Sequence, residues 1–163
     1  MSTPERQRKP IESILFVCTG NVFRSLTAEH ALRARLRAGS PCRINSAGTE
    51  AKPQSVHEWV STRLKLKGAD VSGHVQRQLT RDMVESADLV IAMGEDHRRF
   101  LREQFGKEAP LFNHICLGHE SPILDVHEVI PGWESEPERA RHYVWTVIDA
   151  IWAAAPALLS RLK

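Results

Sequence analysis

The sequence predicts a single α/β domain: a four-stranded parallel sheet in the flavodoxin-like order 2-1-3-4, with helices on both faces in three layers. Three observations predict it. Short apolar runs alternate with helical patterns along the chain, as in sheets whose parallel strands are joined by crossover helices. The first run, Ile14-Leu15-Phe16-Val17, is continuous rather than alternating, as expected of a strand buried on both faces. Directly after it comes Cys18-Thr19-Gly20-Asn21-Val22-Phe23-Arg24-Ser25, a loop suited to holding an anion at a strand's carboxyl end, where such sheets bind ligands.

Taken in order, Ser13 to Cys18 reads as the first strand and Ser25 to Ala38 as a helix, with Leu26, Leu32 and Leu36 at helical spacing and Gly39 as its stop. Cys42 to Ala47 is the second strand. Val56 to Lys67 is a helix closed by Gly68, and Thr80 to Ser86 opens a short one. Asp88 to Met93 is a buried third strand, followed by a helix over Glu95 to Phe105 that Gly106 ends. Leu111 to Cys116 reads as the fourth strand, and Gly118 to Glu134 as a long loop. Ser135 to Lys163 is mainly helix, opened by a capping box of Ser135 and Glu138 with Pro137 in its first turn. Pro156 is expected to kink that helix or end its regular part.

At 163 residues the chain suits one domain with a sizeable core. Residues 1–10 are polar and basic and read as a flexible tail, leaving 11–163 as the domain. A formal net charge of +2 gives no electrostatic reason to expect a nucleic-acid partner. No apolar stretch is expected to reach the ~18 residues of a membrane span. The three cysteines, Cys18, Cys42 and Cys116, are scattered and odd in number, which suits a reduced, cytoplasmic protein better than a disulfide framework. Apolar positions on the last helix serve a core as well as an interface, so a monomer or weak dimer is expected.

The chemistry concentrates in the loop. Unpaired N–H groups of Thr19 to Ser25 and the dipole of the following helix favour an anion. Gly20 and Asn21 tolerate the left-handed backbone that a curled nest needs. Cys18 would lie beneath the bound anion, with the N–H dipoles, Arg24 and the Ser25 hydroxyl each favouring the thiolate. Arg24 offers a planar fork for two phosphoryl oxygens, both in the ground state and during transfer. The arrangement implies attack on phosphorus, a cysteinyl-phosphate intermediate and its hydrolysis, without a metal or other cofactor because the loop supplies the positive charge.

On these motifs the chain resembles the low-molecular-weight protein tyrosine phosphatases. The resemblance runs from about Ser13 to about Leu159 through Val17 to Ser25 with Thr27-Ala28-Glu29, Ser46-Ala47-Gly48-Thr49, Ser72-Gly73-His74 leading to Arg77-Gln78-Leu79, and Ala87 to Met93. It implies Cys18 as nucleophile and Arg24 as phosphate clamp. It also implies a supporting network of Asn21, Ser25, Ser46 and His74, and an aromatic rim for which Trp133 is the natural candidate and Trp59 a weaker one. The implied substrates are phosphotyrosyl proteins and small aryl phosphates.

The chain departs from the family pattern in informative places. Phe23 stands where the family usually has a second Cys, so the protective disulfide with the nucleophile is not available. Leu26 replaces a helix-opening Pro, which is favourable but not required there. The family's Asp-Pro, which supplies the general acid, is missing. In Asp125-Val-His-Glu-Val-Ile-Pro-Gly-Trp133, Glu128 takes the acid's place if Asp125-Val126 guides the alignment. Alignment on Pro131 puts Ile130 there instead, and Asp125 is a further choice. Three other readings follow. An arsenate reductase of the same fold would need resolving thiols near Cys18. A phosphoarginine phosphatase resembles this loop but carries Thr where Val22 stands. A weakly catalytic phosphate-binding module would explain the missing Asp-Pro but not the retained Cys18.

Overall fold

The computed structural model describes residues 11–162, so the tail expected at 1–10 lies outside the described residues. At the centre of the sheet is β1 (Ser13–Cys18), with β2 (Arg43–Gly48) and β3 (Leu89–Ala92) parallel on either side, in the order β2-β1-β3. The register sets Cys18 beside Gly48 and Val17 beside Ala92.

Because successive strand residues point to opposite faces, β1 divides its side chains between two cores. Ile14, Phe16 and Cys18 face α1 (Arg24–Arg33), α2 (Glu58–Leu66) and α7 (Pro137–Ala154). Leu15 and Val17 face α3 (Arg81–Ser86) and α4 (Glu95–Phe105), meeting Val84 and Leu101. The three layers and the parallel pairing are those the sequence implies.

The fourth strand does not form. Leu111 makes a single parallel bridge to Ala92, whose N–H donates to the Pro110 carbonyl at 3.0 Å, and the chain then turns into α5 (Phe112–Leu117). The apolar residues decide this: Phe112 and Ile115 stand at helical spacing, and both join the core that contains Phe16. A run this short cannot be assigned to strand or helix by periodicity alone.

Other differences are local. The first helix stops at Arg33 rather than Ala38, where the Arg33 side chain crosses to the Ile44 carbonyl at 2.6 Å. The expected capping box of Ser135 and Glu138 is absent, and the Ser135 hydroxyl donates instead to the Gly132 carbonyl at 2.8 Å. Pro156 behaves as expected, since regular α-helix ends at Ala154 and a 3-10 segment, Ala155–Arg161, carries the proline in its first turn. Contrary to the expectation that no stretch reaches a span's length, the stretch Pro137–Arg161 is long and apolar enough by length and composition to cross a membrane. Here its apolar face, with Val144, Ile148 and Ile151, lies in the core against α1 and α2.

Candidate active site

β1 delivers Cys18 to the edge of the sheet, and α1 begins at Arg24, so the loop between them is enclosed by a strand end and a helix start. Asn21 organises it. Its backbone is left-handed, at φ 57°, and its side chain is fully buried. The Asn21 amide donates to Ser25 Oγ at 3.0 Å and to Ser46 Oγ at 2.8 Å, while its Oδ1 accepts from the Arg77 N–H at 3.1 Å. His74 Nε2 meets the Asn21 carbonyl at 2.6 Å. The structure thus brings Asn21, Ser25, Ser46 and His74 into one bonded group.

The direction of these bonds matters. Ser25 Oγ accepts from Asn21, which leaves its proton for Cys18 Sγ, 2.9 Å away. Ser46 likewise accepts from Asn21 and donates to Glu29 Oε1 at 2.7 Å. Glu29 is buried and paired with Arg33 at 3.1 Å, so the chain of bonds from the sulfur ends in an ion pair on α1.

Gly48 sits where no side chain fits. A Cβ there would stand 2.3 Å from the Thr19 carbonyl oxygen and 3.0 Å from the Asn21 nitrogen. The loop therefore rests directly on the backbone of β2. The sequence motif containing Gly48 was visible, but its steric role was not.

The Arg24 side chain is 2% exposed. One Nη donates to the Ile123 carbonyl at 2.8 Å, and the other lies 3.4 Å from Thr19 Oγ1 and 3.3 Å from Asp125 Oδ2. A buried cation held by a carbonyl and a carboxylate is satisfied and oriented.

Above the loop is a cavity of about 340 Å³. Cys18, Thr19, Gly20, Val22, Phe23 and Arg24 line its base, whereas Asn21 and Ser25 lie outside the lining, within the supporting network. Asp125 also lines it, together with Trp59, His57 and Trp133. The three rings form one aromatic wall: Trp133 meets Trp59 edge-on at 5.8 Å and His57 at 5.9 Å between centroids. Both tryptophans proposed for the rim are therefore on the cavity.

The carboxylates separate clearly. Asp125 caps α6 (Val126–Val129), and Glu128 completes a capping box by accepting the Asp125 N–H at 2.9 Å. Glu128 is not among the residues that line the cavity, and its nearest oxygen is 3.9 Å from Arg24. Ile130 is buried in the core.

His97, on the first turn of α4, escaped the sequence reading. Its ring is buried, and Nε2 lies 2.8 Å from Thr19 Oγ1. Burial, and then the nearby Arg24, push its pKa down to about 4, so it is neutral at neutral pH. A lone histidine in a helical pattern carries no signal of this placement. Neither Cys42 nor Cys116 is among the residues lining the cavity, and burial pushes the Cys116 thiol up to about 12.

The chain is 36% identical to the protein-arginine-phosphatase of Bacillus subtilis (strain 168) over 116 residues, 69% of this chain and 77% of that protein. It is 40% identical over 88 residues to AmsI of Erwinia amylovora, a probable low molecular weight protein-tyrosine-phosphatase, covering 53% of this chain and 59% of that one. The crystal structure of the Erwinia amylovora tyrosine phosphatase AmsI superposes with a TM-score of 0.73 at 28% identity, covering 96% of this chain and 97% of that one. Residues 13–162 match the family described as low molecular weight phosphotyrosine protein phosphatase, and the chain belongs to that family.

Proposed function

We propose that the protein hydrolyses phosphotyrosine and small aryl phosphates through a cysteinyl-phosphate intermediate. The observation that carries this reading is the placement of Cys18 Sγ, 2.9 Å from Ser25 Oγ, at the base of a cavity that also holds Arg24 and an aromatic wall. The Cys18 thiolate attacks phosphorus, and the bond from phosphorus to the phenolic oxygen breaks. Arg24 and the N–H groups of Thr19 to Ser25 balance the charge on the equatorial oxygens. Asp125, protonated at this stage, gives its proton to the leaving oxygen. Water then attacks the phosphoryl group, returns a proton to Asp125, and releases phosphate with the Cys18 thiolate restored.

Asp125 takes the acid role in preference to Glu128. It is Asp125 that lines the cavity, whereas Glu128 bonds the Asp125 backbone and so holds that residue at the helix start. Trp133 and Trp59 pack on the substrate ring, and Val22 presents an apolar side chain toward it. Ser46 and His74 hold the loop through Asn21.

Phosphoarginine is the second reading, favoured by the 36% identity to the protein-arginine-phosphatase of Bacillus subtilis (strain 168). Val22 and the aromatic wall support tyrosine instead. Arsenate reduction lacks support, because neither further cysteine is placed on the cavity to resolve an arsenic–sulfur intermediate.

Steady-state turnover of p-nitrophenyl phosphate, a phosphotyrosyl peptide and a phosphoarginyl peptide tests the proposal. The expected order has both aryl substrates well ahead of phosphoarginine. Cys18→Ser should lower aryl phosphate turnover at least ~10⁴-fold while phosphate still binds. A fast phosphoarginine reaction with slow aryl turnover would reverse the assignment.

A further inference from the structure

Resting on the proposed phosphatase reading, we infer that His97 is a positioning residue for the reaction: it holds the Thr19 hydroxyl so that the oxygen lone pairs face Arg24, and thereby fixes the phosphate clamp. Three structural observations converge on this. His97 Nε2 lies 2.8 Å from Thr19 Oγ1, and Arg24 Nη2 lies 3.4 Å from the same oxygen. The His97 ring is 1% exposed, yet its Nδ1 has no hydrogen-bond partner among the described residues. An unsatisfied buried nitrogen is a standing cost, which a purely structural residue of the same shape would avoid. Finally, Gly94 leaves room for Asp96 and the ring, since a Cβ there would stand 3.0 Å from Asp96 Oδ1 and 3.3 Å from His97 Nδ1.

The hydrogen bonds can be assigned from the network. Arg24 is a donor only, so Thr19 Oγ1 accepts from it. The hydroxyl proton is then free to point at His97 Nε2, which accepts it as a neutral imidazole with its hydrogen on Nδ1. The low pKa of the ring agrees with that neutral form. A protonated ring would have to donate through Nε2, turn the Thr19 proton away, and add a second cation beside Arg24. Asp96 and Asp125, the acidic groups facing the ring, would favour that protonated form, but burial and the Arg24 cation outweigh them. Arg24 thus has three partners, the Ile123 carbonyl, Asp125 and Thr19; Asp125 leaves its ion pair when it acts as the acid, and only Thr19 depends on a residue of α4.

Thr19→Val, His97→Ala, His97→Gln and the double variant Thr19→Val/His97→Ala test the assignment. The readouts are kcat and KM for p-nitrophenyl phosphate, the inhibition constant of inorganic phosphate, and phosphate binding by calorimetry in the Cys18→Ser background. Thr19→Val and His97→Ala should each reduce kcat/KM about tenfold and weaken phosphate to a similar extent, the loss expected of one oriented hydrogen bond. The double variant should be no worse than Thr19→Val alone, because His97 acts through that hydroxyl. His97→Gln, whose amide reaches the same oxygen, should recover most of the loss. Unchanged phosphate affinity in His97→Ala, multiplicative losses in the double variant, or a lowered Tm without a change in phosphate binding would overturn the inference. The two readings fail separately. Weakened phosphate binding in the His97 variants with no wild-type turnover would sink the phosphatase proposal alone; normal turnover indifferent to His97 would sink only this one.

Discussion

The two walls of the cavity are built on different principles. The loop that would bind charge, Cys18 to Ser25, is largely buried and tied to α1, β2 and the segment before α3 by side-chain and backbone hydrogen bonds. The wall that would deliver a proton, Asp125 to Trp133, consists of a four-residue helix and a turn, held by a capping box and by contacts of Arg24 with its carboxylates. A nucleophile and clamp must keep one geometry throughout the reaction, which favours a rigid support. An acid that protonates the leaving oxygen must release its ion pair with Arg24, and a short helix on a half-exposed loop allows this.

This contrast can be broken or sharpened by substitution. Asp125→Asn should have the largest effect, reducing kcat for a phosphotyrosyl peptide by ~10²- to 10³-fold and for p-nitrophenyl phosphate much less, because a good leaving group needs little protonation. Glu128→Gln should cost less than about tenfold, because the amide oxygen still accepts the Asp125 N–H and keeps the capping box. If Glu128→Gln proves the more damaging for the poor leaving group, the acid assignment moves to Glu128. On the rigid wall, Gly48→Ala should lower stability by about 1–3 kcal/mol through the clash with the Thr19 carbonyl. It should also weaken phosphate, measured by thermal denaturation and by inhibition. A neutral Gly48→Ala would mean that the loop is softer than its hydrogen bonds imply. Trp133→Ala should have the smallest effect, raising KM for aryl phosphates by the equivalent of ~0.5–1.5 kcal/mol and leaving the inorganic phosphate inhibition constant nearly unchanged.

Legibility in the sequence follows the same division. β1, the anion loop and the start of α1 were readable because each depends on neighbouring residues: a buried apolar run, Gly-Asn for the curl, and a helical pattern beyond. Residues 111–116 carry a strand-like pattern yet fold largely as a helix, because a short apolar run fits both periods and the contacts of Phe112 and Ile115 with a distant core decide between them. The capping signal at Ser135 and Glu138 was plausible by pattern, but the box forms at Asp125 and Glu128. For that reason the carboxylate on the cavity could not be chosen by alignment, since a residue can cap a helix or face a substrate and only the backbone path decides which. His97 and Gly48 were invisible for a related reason. Their importance comes from what passes within hydrogen-bonding or van der Waals distance of them across the fold.

The dependence of the Cys18 loop on Ser46, Gly48 and Arg77 has a consequence for the life of the chain. These supports come from later in the sequence, and two of them lie on the strand that docks beside β1. While the polypeptide is still emerging or partly assembled, position 18 carries an unsupported thiol with no organised anion cradle around it. Catalytic competence therefore arrives with the pairing of β1 and β2 rather than with the motif. Turnover consequently reports that long-range pairing more sensitively than helix content would.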